Sequence, residues 1–219
     1  MSTFPGSPRL LKGGIVLLDS TSGAVQRIIT LQYNPDTLTR SLQVQADDQA
    51  SKNRSQALRL IGPPVETFKL DAEIDATDQL EFPDQNPTAV QAGIYPQLAA
   101  LETIIYPSSS QLLSNNSLAQ SGVLEIAPME SPLTLFVWSK NRVVPVRITD
   151  FSVTEEAFDA TLNPIRAKVS LGMRVLSIDD LGFDEKGGNL FMVYQQQKER
   201  LSALSQGGTF RDLGIGGIP

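Results

Sequence analysis

The stretch that decides the fold lies at residues 165–175 and reads IRAKVSLGMRV. Apolar and polar residues alternate along it. One face carries Ile165, Ala167, Val169, Leu171, Met173 and Val175, and the other carries Arg166, Lys168, Ser170 and Arg174. A period of two is typical of a β-strand, because successive side chains point to opposite sides of a sheet. The sequence therefore predicts a long strand with one face on a core and the other on water or a partner.

The same alternation recurs in other parts of the chain. Phe68, Leu70, Ala72 and Ile74 alternate with Thr67, Lys69, Asp71, Glu73 and Asp75, which predicts a strand with an acidic outer face. Shorter candidates, most of them bounded by Gly, Pro, Asn or Asp, are residues 14–18, 26–33, 38–45, 122–126, 133–138 and 143–153. Together these strands predict a mainly β fold, an antiparallel barrel or sandwich.

Turn signals and helical periodicity predict the structure of some of the residues between these strands. Asn34-Pro35-Asp36 and Asn163-Pro164 are both expected to form hairpin connections between antiparallel strands. One or two helices should flank the sheet, the first from about Pro96 to before Pro107 and the second over about residues 189–204. We expect residues 46–64, 76–93 and 108–121 to be irregular, and the glycine-rich tail 207–219 to be a flexible end or an arm ordered by a neighbour.

Composition argues against several classes of function. The 219 residues include no Cys and no His, which removes the Ser-His-Asp triad, a thiolate nucleophile and a disulfide framework, and argues against a zinc site. The formal charge of -6 argues against nucleic acid or an anionic membrane as a partner. No apolar stretch is long enough to span a bilayer. We therefore expect cytoplasmic assembly without direct membrane insertion.

One acidic cluster suggests calcium, but its details do not fit. Asp71, Glu73 and Asp75 have the alternate spacing of oxygen ligands in a calcium loop. Ala76 stands where that loop requires glycine, and Phe82 where it requires the closing glutamate. The segment also alternates as a strand does. We therefore expect no metal and no other cofactor.

A second acidic cluster keeps catalysis open as an alternative. Glu155, Glu156 and Asp159 could supply the paired carboxylates of a glycosidase, although one Trp and 6% aromatic residues are few for lining sugar subsites. We expect no catalytic residue. A carboxylate hydrolase remains one alternative class, and a monomeric β-barrel that binds a ligand in an apolar cavity is another.

Three segments carry sequence motifs that follow one another in a characteristic order along the chain. Residues 31–40, LQYNPDTLTR, place an aromatic residue before Asn-Pro, an acidic residue, Leu and Arg. Residues 68–75 form an apolar strand that ends in acidic residues, and residues 132–175 contain a Trp strand, a hairpin and an Asn-Pro-Ile-Arg-Ala strand. In this order, over residues 14–176, they resemble the tube proteins of contractile injection systems, which are related to phage tail tubes. The motif positions expected to shape turns and interfaces are Asn34, Pro35, Asp36, Arg40, Trp138, Asn163, Pro164 and Arg166.

The resemblance implies how the protein would assemble. In that family a twisted antiparallel barrel or sandwich joins its sheet to those of its neighbours, so that six copies close into a ring around a lumen and rings stack into a tube. Spike, tube and baseplate proteins are then the partners. We hypothesise that the acidic face of residues 67–75 lines the channel.

Two additions distinguish the chain from simple stacking tube subunits, which are shorter. Residues 1–177 would form the tube-like β domain, with an insertion over about residues 76–121, and residues 178–219 would form a C-terminal extension. These additions favour a tube-initiating adaptor at the base of the tube, with the main stacking subunit as the alternative. The peptidoglycan-binding LysM domain that such adaptors often carry is not recognisable in residues 205–219.

Overall fold

The computed structural model describes residues 10–19, 22–45, 60–122 and 131–218. The strands are β1 (Gly14–Leu18), β2 (Val25–Thr30), β3 (Leu38–Gln43), β4 (Val65–Asp75), β5 (Leu133–Ser139), β6 (Arg142–Phe158) and β7 (Pro164–Val175). The helices are α1 (Thr77–Leu80), α2 (Pro87–Ala92), α3 (Tyr95–Glu102), α4 (Ser109–Gln120), α5 (Ile178–Leu181) and α6 (Lys186–Ala203), with a 3-10 helix at Pro83–Gln85. Within these ranges no helix is long and apolar enough to cross a lipid bilayer.

The strands form one antiparallel sheet of seven strands in the order β2-β1-β5-β6-β7-β4-β3. Its centre is the long hairpin of β6 and β7, which pair from Val146 and Val175 at one end to Phe158 and Pro164 at the other. β7 also pairs with β4 along most of its length. The predicted mainly β, antiparallel fold is confirmed, and so is the hairpin at Asn163-Pro164.

The core lies on the face of the sheet that the alternation predicts. Phe68 of β4 and Met173 of β7 are paired across the two strands, and both are fully buried. Two helices pack against this face and contribute to the same cluster: α3 supplies Leu98 and Leu101, and α6 supplies Phe191 and Tyr194. Because burying apolar side chains is the main favourable term in folding, the C-terminal helix is held to the sheet by the core itself.

The expected hairpin at Asn34-Pro35-Asp36 is wrong. β2 and β3 lie at the two ends of the strand order, because β2 pairs with β1 and β3 pairs with β4. Residues 31–37 therefore cross from one end of the sheet to the other, and we call them the crossing segment. Local turn chemistry specifies a change of direction, but it does not specify which strand is paired afterwards.

Two stretches that were expected to be irregular contain helices. Residues 76–93 hold α1, the 3-10 helix and α2, and residues 108–121 hold α4. A capping box begins α4: the Ser108 hydroxyl accepts the Gln111 N–H, and the Gln111 side chain accepts the Ser108 N–H. The first expected helix ends at Glu102, earlier than predicted. The expected strand at residues 122–126 and residues 46–59 of the first irregular stretch lie outside the described residues, except for Gly122.

Candidate assembly interface

Asn34 and Trp138 meet at Gly13, the residue before β1. Asn34 Oδ1 accepts a hydrogen bond from the Gly13 N–H (2.9 Å), and its Nδ2 donates to the Leu11 carbonyl (2.8 Å). The side-chain amide thus replaces a strand partner. The indole of Trp138 lies against Gly13, where an added Cβ would be 2.7 Å from Trp138 Cε3. These two motif residues therefore hold the start of β1.

Gln32 attaches the crossing segment to the end of β4. Its amide donates to the Asp75 carbonyl (2.6 Å) and accepts from the Asp75 N–H (3.0 Å). The Asp75 carboxylate in turn accepts a hydrogen bond from Arg166 Nε at 2.7 Å. Burial by itself would raise the pKa of Asp75, but hydrogen bonds from Thr77 and Arg166 outweigh burial and lower that pKa. Asp75 thereby joins the motif at residues 31–40 to the motif at the start of β7.

Asn163 and Pro164 connect the β6–β7 turn to the helices. Asn163 Nδ2 donates to the Asp159 carboxylate (2.8 Å) and to the Gln91 carbonyl (3.2 Å). The Pro164 carbonyl accepts the Ile94 N–H (2.9 Å) at the start of α3. Hydrogen bonds from Asn163 are the main reason that the pKa of Asp159 is lowered to about 2. The turn is therefore held by a carboxylate that stays ionised well below neutral pH.

The outward faces of β4, β7 and β6 carry columns of alternating charge. Arg166 Nε lies 3.7 Å from the Glu73 carboxylate on β4, in addition to its bond with Asp75. Lys168 Nζ lies 3.2 Å from the Glu156 carboxylate on β6. The acidic face of β4 is therefore one side of a ladder of opposite charges on neighbouring strands, and this ladder remains open to solvent.

Arg40 belongs to a separate polar cluster, which we call the Glu66 cluster. The Glu66 carboxylate is only 3% exposed and lies 3.8 Å from Arg40 Nε. Two residues of α6 complete the cluster: the Tyr194 hydroxyl donates to Glu66 at 2.7 Å, and Lys198 Nζ donates at 2.8 Å. Sequence reasoning missed Glu66, Tyr194 and Lys198. The available signal was a glutamate in the inward-facing register of β4.

The predicted motif residues do not form one cluster. Asn34 and Trp138 meet at the start of β1, whereas Asn163, Pro164 and Arg166 lie together at the start of β7. The remaining ones lie elsewhere: half-buried Pro35 and exposed Asp36 in the crossing segment, and Arg40 on β3. Hydrogen bonds of Asn34, Asn163 and Arg166 hold turns and strand ends within the subunit, and the interface role expected for the motif residues stays a prediction.

The Glu66 cluster predicts a loss of stability at high pH. Burial, and then the hydrogen bond to Glu66, raises the pKa of Tyr194 to about 12. In the unfolded chain a tyrosine titrates near about pH 10. Below that pH the interaction contributes fully to stability, and between about pH 10 and 12 the contribution is lost because only the unfolded state gives up its proton.

Urea unfolding measured from neutral pH to about pH 11.5 checks this prediction. The variant Tyr194→Phe should lose about 1 kcal/mol at neutral pH, because one buried hydrogen bond is removed, and should show a flatter decline above about pH 10. Tyr106→Phe is the control, since Tyr106 is exposed. An equal decline in Tyr194→Phe and wild type would contradict the assignment.

One protein-family model matches most of the chain. The model of the contractile injection system tube protein family matches residues 17–180, a range that includes the crossing segment, the β6–β7 hairpin and the Glu66 carboxylate. No curated protein sequence matches the chain. Since the family match covers well over half of the 219 residues, the chain belongs to the contractile injection system tube protein family.

Proposed function

We propose that the chain is a tube-initiating or adaptor subunit that forms a homohexameric ring between the spike or baseplate and the inner tube, and that it carries no active site. Family membership makes it a tube component of a contractile injection particle. The expectation of six copies per ring, and of spike, tube and baseplate proteins as partners, comes from the resemblance to that family. The main stacking subunit of the inner tube is the second candidate, because the family that matches the chain is described as the tube protein.

The proposal rests on the unpaired edges of the two terminal strands of the sheet. Within the described ranges β2 pairs only with β1 and β3 only with β4, so each leaves one edge unpaired. Both edges carry exposed apolar side chains: Val25 and Ile28 on β2, and Leu42 on β3. Unpaired edges of this kind are sites for pairing with another chain. A contact between these two different edges would be head-to-tail, and repeated head-to-tail contacts form a ring when the rotation between neighbours closes, as we propose here.

The charged ladder supports a lumen-facing role for the outer face of β4 and β7. Glu73 and Lys168 are 48% and 59% exposed, so this face is not buried within the subunit. A surface of alternating, mutually paired charges has few apolar groups to which a passing polypeptide could adhere. We propose that this ladder lines the channel.

The helical additions favour an adaptor over a simple stacking subunit. α1 to α4 occupy the proposed insertion, and α4 has no buried residue although it carries exposed Leu112 and Leu113. A helix of 12 residues is marginal by itself in water, so a partner surface would stabilise it. We propose residues 1–177 as the tube-like domain, residues 178–219 as the extension that meets neighbouring components, and the cytoplasm as the place of assembly.

Native mass spectrometry and negative-stain imaging of the concentrated protein test the ring. We expect hexamers with six-fold symmetry. Single rings indicate an initiator, whereas stacked rings indicate the main tube subunit. Val25→Lys, which places a charge on the β2 edge, should raise the concentration needed for assembly by about tenfold or more.

Val90→Lys is the matched control for the edge variant. Val90 on α2 is 48% exposed, close to the 58% of Val25, but it lies on no edge strand. It should assemble as wild type does. Equal assembly of Val25→Lys and wild type would refute the edge contact, and a wild-type protein that stays monomeric at every concentration would favour the ligand-binding alternative.

A further inference from the structure

The end of the β6–β7 hairpin, residues 157–162, has an unfavourable backbone conformation at two positions, and we call these residues the hairpin tip. Ala157 has φ +48° and Leu162 has φ +67°. In the part of the chain that the structure describes, they are the only residues other than glycine with positive φ. Residues with a Cβ disfavour this left-handed region, which glycine or asparagine usually occupies. The hairpin tip therefore costs folding free energy that another sequence would avoid.

Leu162 is unfavourable in its surroundings as well as in its backbone. It is 74% exposed, and the neighbouring Phe158 is 49% exposed. Other groups make the turn: the Leu162 N–H donates to the Asp159 carbonyl (3.1 Å), and the Asp159 carboxylate accepts the Thr161 N–H (2.7 Å). Neither the turn nor the core uses the Leu162 side chain. Because strained surface residues cluster at functional sites, this leucine indicates a contact outside the subunit.

The end of the sheet that carries the hairpin tip is strongly acidic. Residues 73–86 and 154–168 are held together there by the 2.7 Å ion pair of Asp75 and Arg166. They contain eight carboxylates and two cations, so their net charge of -6 equals that of the whole chain. Arg166 is one of the two cations, and the other, Lys168, is paired with a glutamate of β6. The remainder of the chain is neutral overall, so the excess negative charge belongs to this end.

The proposed ring would place the hairpin tip on one of its two flat faces. Pairing through the edges of β2 and β3 runs around the ring, so the strands themselves follow the ring axis with a tilt. The tip extends past Phe158 and Pro164, the last pair of β6 and β7, and neither strand is an edge of the sheet. It is therefore directed towards the next layer of the assembly and stays accessible after the ring has closed.

We propose that Phe158 and Leu162 anchor the subunit to a different protein in the adjacent layer, one that presents an apolar pocket flanked by Lys or Arg. This inference rests on the proposed function, because it requires a ring whose flat faces meet other components. The pocket provides the burial that Leu162 lacks within the subunit, and the cations match the surrounding carboxylates.

The charge distribution also limits the kind of partner. Carboxylates at the hairpin tip repel nucleic acid and anionic lipid, so the partner is a protein surface. A second copy of this chain offers no overall surplus of cations, because the residues outside 73–86 and 154–168 are neutral in total. A basic surface of another component is therefore the better match.

Photo-cross-linking in assembled injection particles tests the contact. A benzophenone-bearing amino acid in place of Ala160, which is exposed in the hairpin tip, leaves Phe158 and Leu162 intact. In particles that contain the full chain, light should link residue 160 to a different particle protein, at a site where apolar residues lie beside Lys or Arg. The matched control has the same group in place of Lys140, exposed in the turn before β6, and should not give that product.

Leu162→Asn separates the contact from the stability of the subunit. Asparagine tolerates positive φ, so the ratio of folded to unfolded protein in urea should rise about fivefold. The cross-link from residue 160 should nevertheless fall about tenfold, or particles should fail to form, because the anchor is lost. Leu113→Asn is the control, since Leu113 is 70% exposed on α4. It should bring no rise in stability and should leave the cross-link unchanged.

The outcomes distinguish this inference from the ring. If hexamers form but residue 160 links only to copies of this chain, or to no protein, the inference is wrong and the ring proposal stands. A link to a different protein in particles without a ring of this chain would support the contact and overturn the ring. The inference also fails if Leu162→Asn neither stabilises the subunit nor weakens the cross-link, or if the linked site is rich in Asp and Glu.

Discussion

Replacing Gly93 with alanine is expected to lower the free energy of unfolding by about 3 kcal/mol or more, one of the largest effects of any single methyl group in this chain. Gly93 follows α2 with φ +54° and ψ −131°, a conformation that residues with a Cβ avoid. An added Cβ would also lie 2.2 Å from the Pro164 carbonyl oxygen. That oxygen has no room to retreat freely, because it accepts the Ile94 N–H. In the variant, the connection between α2 and α3 should therefore move away from the start of β7.

Two glycine controls distinguish backbone strain from the collision. Gly122→Ala also has positive φ (+81°), but an added Cβ there meets nothing within 4 Å, so it should lose about 1 kcal/mol through strain alone. Gly207→Ala has neither feature and should change stability by less than about 0.5 kcal/mol. Chemical denaturation of the three variants checks the ranking. A Gly93→Ala protein as stable as Gly207→Ala would mean that α3 does not pack on the β7 start as described.

Removing the Glu66 carboxylate is the second change with a large expected effect. Glu66→Ala should cost about 2 to 3 kcal/mol, because breaking a buried ion pair leaves its partners without their counter-charge. The figure lies below the range for a fully buried pair because the side chains of Lys198 and Arg40 are 30% and 40% exposed, so water screens them in part. Since Tyr194 and Lys198 lie on α6, the loss should appear first as weaker docking of that helix.

Hydrogen exchange along α6, together with chemical denaturation, measures this effect. Glu66→Gln keeps an acceptor for Tyr194 and should lose less than Glu66→Ala. Arg40→Ala is the control within the cluster, and at 3.8 Å and partial exposure its loss should stay below about 1 kcal/mol. The double variant Glu66→Leu with Lys198→Met should recover much of the stability, as apolar replacements of buried ion pairs do. If Glu66→Ala leaves exchange in residues 186–203 unchanged, Glu66 does not hold α6.

The strands that could be predicted are those whose alternation of apolar and polar residues is visible within a short stretch of sequence. β7 and β4 each alternate over many residues, and the structure buries the apolar set of both except Ile165, which is half-buried. Residues 109–120 show why α4 was missed: the segment is rich in Ser and Asn, residues typical of loops, and its helical start depends on a capping box rather than on an apolar stripe. With no buried side chain, α4 leaves no apolar period for the sequence to reveal.

Individual residues of the candidate site could be singled out from the sequence, but the residues that they contact could not. Asn34, Asn163 and Arg166 were singled out by their motifs, yet their partners are backbone groups and carboxylates far away in sequence. Gln32 reaches Asp75 across 43 residues, and Lys198 reaches Glu66 across 132. No local pattern encodes such pairs, because each depends on the register of strands brought together by the whole sheet.

By itself, the sequence determined that no Cys or His side chain is available, the strand character of its longest segments and the buried face of β4 and β7. These follow from residue types and from a period of two, which are properties of each segment alone. Only the tertiary structure decided that β2 and β3 end the sheet on opposite sides, that the acidic face of β4 is paired by β7, and that α6 packs on the sheet through Phe191 and Tyr194. The physical reason is that strand order and helix docking are set by the free energy of burying all apolar faces at once, which no single segment contains.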